Sequence, residues 1–310
     1  MNAAVSNKIT KRSYAAAILF VVMMMAAAVM LNNQEVILPE VAAMAFAMWV
    51  YREPGWIRRP SLICISPTVT AAIGLTMNHL RMDFTVKVVL TLMLMMLFLR
   101  MIRSNLAPAI ATGLLPLAIN TRDWSFVWIV FIFTMILMLG VLIFKLNRGV
   151  PKKASINHKY MVVFLVLSVC WIGVCWTAGY QQLAVIPPIF VVVYESLQKP
   201  IYTGTMALKQ SLTLTLSVSI GVAVFFCIQS PVLAVMVDMM LILALSPILR
   251  VRIPAMYAIP LLTFVFPEDQ IMTLPLVTLA ASLFLFTSVL LYKKAELKRA
   301  LKRVSVDRFC

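Results

Sequence analysis

Charge is scarce in this sequence. Lys, Arg, Asp and Glu make up only 12% of its 310 residues, against about 25% in a soluble domain. Mean hydropathy is +0.98 and 63% of the residues are hydrophobic, so a globule of this size could not cover its surface with polar groups. The solvent is therefore lipid. Glycine is also scarce, at 9 residues, and no polar–apolar alternation of the strand type is visible. That excludes a lipid-exposed barrel and leaves helices, which satisfy their backbone internally. Histidine is limited to His79 and His158. Of the five cysteines, Cys64, Cys170, Cys175 and Cys227 sit in apolar runs and Cys310 ends the chain. None has metal-site spacing, so they read as packing residues. The 22 methionines are spread through the helices without converging. No metal and no cofactor is expected. Nucleotide loop, zincin motif and nucleophile elbow are all missing, so no enzyme is expected either. The 11 acidic residues stand against 27 basic ones, a net charge of +16. In a membrane protein that excess belongs to cytoplasmic loops, and nucleic acid is not an expected partner.

What the chain does have is apolar runs. Twelve are read: 13–31, 36–51, 61–78, 84–102, 105–119 and 125–146, then 160–178, 183–198, 207–228, 231–249, 253–267 and 271–292. A span needs roughly 20 apolar residues, and several runs are shorter and carry proline. Two of them, 105–119 and 253–267, read as half-spans or re-entrant segments. The first run is too long for a cleaved leader and reads as a retained helix. If the N-terminus is cytoplasmic and every run crosses, all basic residues except Arg81, Lys87 and Arg122 fall on the cytoplasmic side. Glu35, Asp83, Asp123, Glu268 and Asp269 fall outside. The expectation is a multi-pass protein of the cell membrane with both termini in the cytoplasm.

The chain divides at a polar linker. Residues 1–150 form a first membrane repeat, 151–159 a basic linker, 160–292 a second repeat and 293–310 a basic tail suited to anionic lipid. Pro39 and Pro187 are 148 residues apart, Gly74 and Gly221 are 147 apart, and Pro108 and Pro254 are 146 apart. Six runs per half point both repeats the same way, so a two-fold axis along the membrane normal is expected. The fold class is all-α: a polytopic helical bundle of about twelve segments in two parallel six-segment repeats.

Candidate site residues follow from cost. Asp238 lies mid-span, where a carboxylate is expensive; it reads as an ion relay or substrate contact, or as a carboxyl bonded to a neighbouring helix. Glu40 follows Pro39 one turn inside its segment. Lys87 is placed to pair with Asp83 and Glu195 with Lys199, each at helical spacing. Pro108 and Pro116, with Pro254 and Pro260, fall in the two short segments, and proline-interrupted segments in matching halves point to a transporter's central site. Arg103 and Arg250 precede them and are placed to attract an anion or to anchor the basic side. Polar stripes at Ser66, Thr68 and Thr70 and at Ser211–Ser219 offer packing hydrogen bonds.

The run Leu106–Ile119, LAPAIATGLLPLAI, with Trp124 and the helix that follows, resembles the HPP family of membrane proteins. Pro108, Ala109, Ala111, Leu114, Leu115 and Pro116 fit its pattern, and Ile253-Pro254-Ala255 follows it more loosely. Leu106 and Ala107 stand where that family has its namesake His and first Pro. The resemblance implies a multi-span protein and, for some members, nitrite transport. A broader likeness is to membrane domains of the aromatic-acid-exporter and fusaric-acid-resistance type. The expected partners are the bilayer, a small-molecule or ion substrate and further copies of the chain. A non-transporting partner subunit is the alternative reading. A reporter fused within 147–159 is expected to read as cytoplasmic; an exterior reading overturns this topology.

Overall fold

The computed structural model describes residues 11–150, 157–179, 181 and 184–306, of which 300–306 are described by backbone alone. The linker stretch 151–156 and the last four residues of the tail lie outside the described residues. Among the described residues there is helix and no strand.

Eight helices are long and apolar enough to cross a membrane. They are α1 (Lys11–Met30), α4 (Pro60–His79), α5 (Phe84–Met101), α7 (Ser125–Ile143), α8 (His158–Thr177), α10 (Gly204–Cys227), α11 (Pro231–Leu249) and α13 (Leu274–Val306), the last taken as far as Arg299. Only 28% to 44% of each span's apolar window is buried inside the protein, so the remaining apolar surface is left for lipid. This is a multi-pass helical membrane protein.

The other four apolar runs are built differently. α2 (Pro39–Ala45) continues into one π-helical turn, Phe46–Val50. α6 (Pro108–Ala118) and α9 (Pro187–Gln198) have 11 and 12 residues. The run 253–267 is a pair of 3-10 turns, Pro254–Tyr257 and Ile259–Phe264. Each begins with proline in its first turn, where a missing N–H costs nothing. Shortness thus extends beyond the two runs singled out from sequence to all four. Their side chains are buried nearly throughout: every residue of α2, Pro108–Leu117 of α6, and Ile253–Thr263. Two further short helices, α3 (Pro54–Ile57) and α12 (Glu268–Ile271), lie in connections.

Close backbone contacts place α6 parallel to α4. Ser66 and Ser104 hydroxyls meet at 3.3 Å, those of Thr70 and Thr112 at 3.0 Å, and Asn78 Nδ2 donates to the Pro116 and Thr121 carbonyls. Between these rungs a Cβ added at Gly74 would meet the Gly113 oxygen at 1.9 Å. The same approach occurs elsewhere: a Cβ at Gly221 would lie 2.7 Å from Pro260 Cα. The second contact lies 147 positions along the chain from the first, and Pro260 meets Gly221 as Gly113 meets Gly74. Across the bundle α1 packs on α11 and α5 on α8, while α2 packs on the 254–264 segment and α6 on α9.

Several local expectations change. Lys87 Nζ donates to the Asn78 carbonyl at 3.0 Å, and Asp83 caps α5 through Thr85 N, so the two do not pair with each other. Ser217 and Ser219 bond to carbonyls of their own helix, at Thr213 and Thr215. These two hydroxyls are satisfied within the helix instead of between helices, and the Thr215 hydroxyl has no partner. α13 runs from Leu274 to Val306 without a break at 292. It is latched to α8 by Glu296, which takes Lys159 Nζ at 2.7 Å and the Tyr160 hydroxyl at 3.1 Å.

The glycine contacts generate a stability test. Gly74→Val and Gly221→Val push a side chain into backbone, and overpacking costs about 1–3 kcal/mol or more. Both are expected to lower the melting temperature of the purified protein in detergent. Gly173→Val, where an added Cβ meets nothing within 4 Å, is expected to leave it within experimental error.

Candidate functional site

The four proline-initiated segments meet along a central seam. α2 touches α6, α9 and both 3-10 turns, and α9 touches α6 and the first of those turns. Irregular backbone at membrane depth is tolerated only where protein covers it or where it lines a cavity. Both conditions hold here.

One cavity, of about 270 Å³, opens at the end of the bundle that carries Lys199 and Arg252. Its lining comes from both halves: Glu53, Trp56, Asn105 and Ala107 from the first, and Tyr194, Glu195, Gln198, Lys199, Arg252 and Pro254 from the second. Glu53 and Arg252 are exposed at its rim, and Glu195 is half-buried. The second cavity, of about 450 Å³, opens at the other end among Asn32, Gln34, Ile37, Gln229, Thr263 and Glu268. Polar bonds tie the neighbouring connections together. The Glu35 carboxylate accepts from the hydroxyls of Thr121 and of Ser125, the latter at 2.9 Å. Burial pushes the Glu35 pKa up, with the Ser125 hydroxyl opposing the shift.

The two cavities share two segments. α2 and the residues flanking it run from Ile37, on one cavity, to Glu53, on the other. The 254–264 segment runs from Pro254 to Thr263 and Phe264 between the same two cavities. Along both segments nearly all the residues between the two cavities are buried. Phe46 stacks face to face on Tyr257, with centroids 3.6 Å apart and planes 3° from parallel. The Tyr51 hydroxyl donates to the Tyr257 hydroxyl at 3.3 Å. Above this stack Glu40 is 2% exposed, and neither carboxylate oxygen has a hydrogen-bond partner. The π-helical turn at Phe46–Val50 adds a residue to the helix at this level, and such turns often mark functional sites.

The sequence-derived candidates separate. Glu40, Pro108, Pro254 and Pro260 lie on the seam segments, and Pro254 lines the first cavity. Pro116 is inside α6, one turn from its end, with its carbonyl held by Asn78. Arg103 and Arg250 are exposed, both in the left-handed conformation (φ 50° and 52°), and end α5 and α11. They turn the chain into the segments that follow but line neither cavity. Asp238 is fully buried on α11 with both oxygens unpartnered, and it too lines neither cavity. Residues passed over in the sequence are Asn105, Tyr194, Gln198 and Arg252. Glu195 and Lys199, expected from their spacing to pair, make no direct ion pair; the ion pairs among the described residues are those of Glu296. No group of three or more His, Cys, Asp or Glu that could hold a metal is present among the described residues. Compared with family models, curated proteins and solved structures, the chain matches none.

The stack generates two graded outcomes. Tyr257→Phe loses one hydroxyl contact, worth about 0.5–1.5 kcal/mol, and is expected to lower thermal stability slightly. Tyr257→Ala removes the ring and is expected to cost about 3–5 kcal/mol, measured by denaturation of the purified protein. Equal losses for the two would show that the stack carries no packing energy.

Proposed function

We propose that this chain is a permease of the cell membrane that moves a small solute bearing an anionic group along the seam between two parallel six-segment repeats. The observation that carries the reading is the pair of cavities entering from opposite ends onto the same two segments, with one aromatic stack and one partnerless carboxylate between them. Phe46 and Tyr257 are the barrier, and Glu40 is the ionisable group on the path. The basic end, with Arg52, Arg58, Arg59, Arg100, Arg103, Lys199, Arg250 and Arg252, faces the cytoplasm together with both termini and draws anionic solutes to the first cavity.

The duplication is supported by recurrence at one offset. Gly74 on Gly113 and Gly221 on Pro260 repeat at 147, as do the left-handed residues Arg103 and Arg250 and the pair Asn32 and Gly179. The contacts α1 with α11 and α5 with α8 exchange first and fourth segments between halves. α2 with 254–264 and α6 with α9 likewise exchange second and fifth. Six segments in each half relate the halves by an axis along the membrane normal, as in transporters built from parallel repeats. The likeness of Leu106–Ile119 to the HPP family fits this reading, since Pro108 starts a half-helix on the seam, and it makes nitrite a first substrate to try.

Purified protein in liposomes is expected to raise the uptake of at least one of nitrite, acetate and benzoate above that of empty liposomes, with or without a proton gradient. Phe46→Ala is expected to increase leak of the same solute by about tenfold, a barrier change of ~1.4 kcal/mol. Glu40→Gln is expected to reduce gradient-driven uptake, whereas Asp238→Asn, off both cavities, is expected to change it less. A full panel without flux, or a Phe46→Ala protein as tight as the parent, overturns the reading.

A further inference from the structure

The first cavity carries a charge pattern that an anion alone does not satisfy. Two carboxylates, Glu53 and Glu195, and two cations, Lys199 and Arg252, line the same space of about 270 Å³. Glu195 has Glu53 and Lys199 as its charged neighbours, yet none of the four charged groups forms a direct ion pair. The uncharged lining is also incomplete. Asn105 Oδ1, Gln198 Nε2 and Tyr194 Oη are buried without partners, and Tyr194 is 0% exposed. Buried polar groups are normally bonded, so one free acceptor, one free donor and one hydroxyl around a single cavity describe a missing ligand with both kinds of group. Lone Glu40 and Asp238 offer no such pairing of signs.

We propose that this cavity binds a small zwitterion, with its ammonium on the Glu195 side and its carboxylate on Lys199 and Arg252. The inference rests on the permease reading and names the class of its solute. A bare anion gains from Lys199 and Arg252 but is repelled by Glu53 and Glu195. A bare cation meets the reverse. A molecule carrying both charges pairs with each set at once, and the Arg252 guanidinium has the forked geometry that carboxylates prefer. The volume corresponds to about nine waters at ~30 Å³ each, which is room for alanine or glycine betaine with several waters beside it. The occupant also draws the anionic solute of the permease reading into the same chemistry, since its carboxylate is the group that the basic rim attracts.

Calorimetry on the full chain in nanodiscs, with alanine and glycine betaine against acetate and ethylammonium, tests this directly. At least one zwitterion is expected to bind about tenfold or more tightly than either half-ligand, a ~1.4 kcal/mol difference. Glu195→Gln is expected to erase most of that advantage while leaving acetate binding intact or improved, and Arg252→Gln to erase it while sparing ethylammonium. Retained acetate binding in the first variant and ethylammonium binding in the second show that the protein is folded. Acetate binding as tight as alanine, or a zwitterion advantage that survives both variants, overturns the proposal. Liposome flux separates the two readings. Zwitterion binding without any flux removes the permease and leaves the site; nitrite or acetate flux without zwitterion binding removes the site and leaves the permease.

Discussion

Every backbone N–H and C=O inside a bilayer must find a partner within the protein, and the rest of this structure depends on that constraint. Eight of the apolar runs meet it within continuous helices, of which only α4, at Pro67, and α11, at Pro247, lose an internal backbone donor. α2, α6, α9 and the 254–264 segment do not meet it in that way. Three of them start after an extended residue, Leu38 before α2, Ile186 before α9 and Ile253 before the 254–264 segment. Such segments cannot face lipid. They are therefore walled in by the long helices, which accounts for side chains buried almost without exception on all four. A seam of interrupted backbone at the centre is the consequence, and so are the cavities at its two ends.

Lipid supplies no hydrophobic force to press helices together, so the walls are held by close fit and by hydrogen bonds. The close fit is at Gly74 on Gly113 and Gly221 on Pro260, where backbone meets backbone. The hydrogen bonds are few and buried. Thr70 to Thr112 and the Asn78 side chain to the α6 end tie one short segment to α4. Gln210, bonded to Ser196 and to the Tyr202 hydroxyl at 2.5 Å, ties α9 to α10. Polar side chains thus appear mainly where a short segment meets a long one, and the lipid-facing sides of the long helices stay apolar.

Much of this was legible in the sequence, because the signals are local. Eight of the apolar runs are helices of membrane-crossing length, and Pro39, Pro108, Pro187 and Pro254 each open a short segment. The candidate site was less legible. A charge in an apolar run is conspicuous, and Asp238 drew attention for that reason, but its position says nothing about which helix it faces. Glu195 and Lys199, four apart, resemble an ordinary helical pair; only the fold shows that Asn105 and Arg252, from two other chain turns, stand around the same space. Those two lie 147 residues apart, two positions after left-handed Arg103 and Arg250. The spacing was available, but nothing in it distinguished a cavity wall from a loop.

On the proposed duplication the two sides of the seam ought to be equivalent, and chemically they are not. Phe46 and Tyr257 on one side correspond to Val193 and Ile110 on the other, each fully buried. Glu40, near Pro39, has only the Pro187-Pro188 pair at its counterpart position. One side therefore holds a flat aromatic contact, a hydroxyl pair and a carboxylate, while the other is aliphatic packing. Aliphatic side chains in close contact give an ion nothing to bind, whereas a stack of two planar rings can part by rotation about two bonds without opening the surrounding core. On the proposed permease reading, a frame that repeats with a lining that does not restricts passage to one track, and the matching half is the wall against which that track is held.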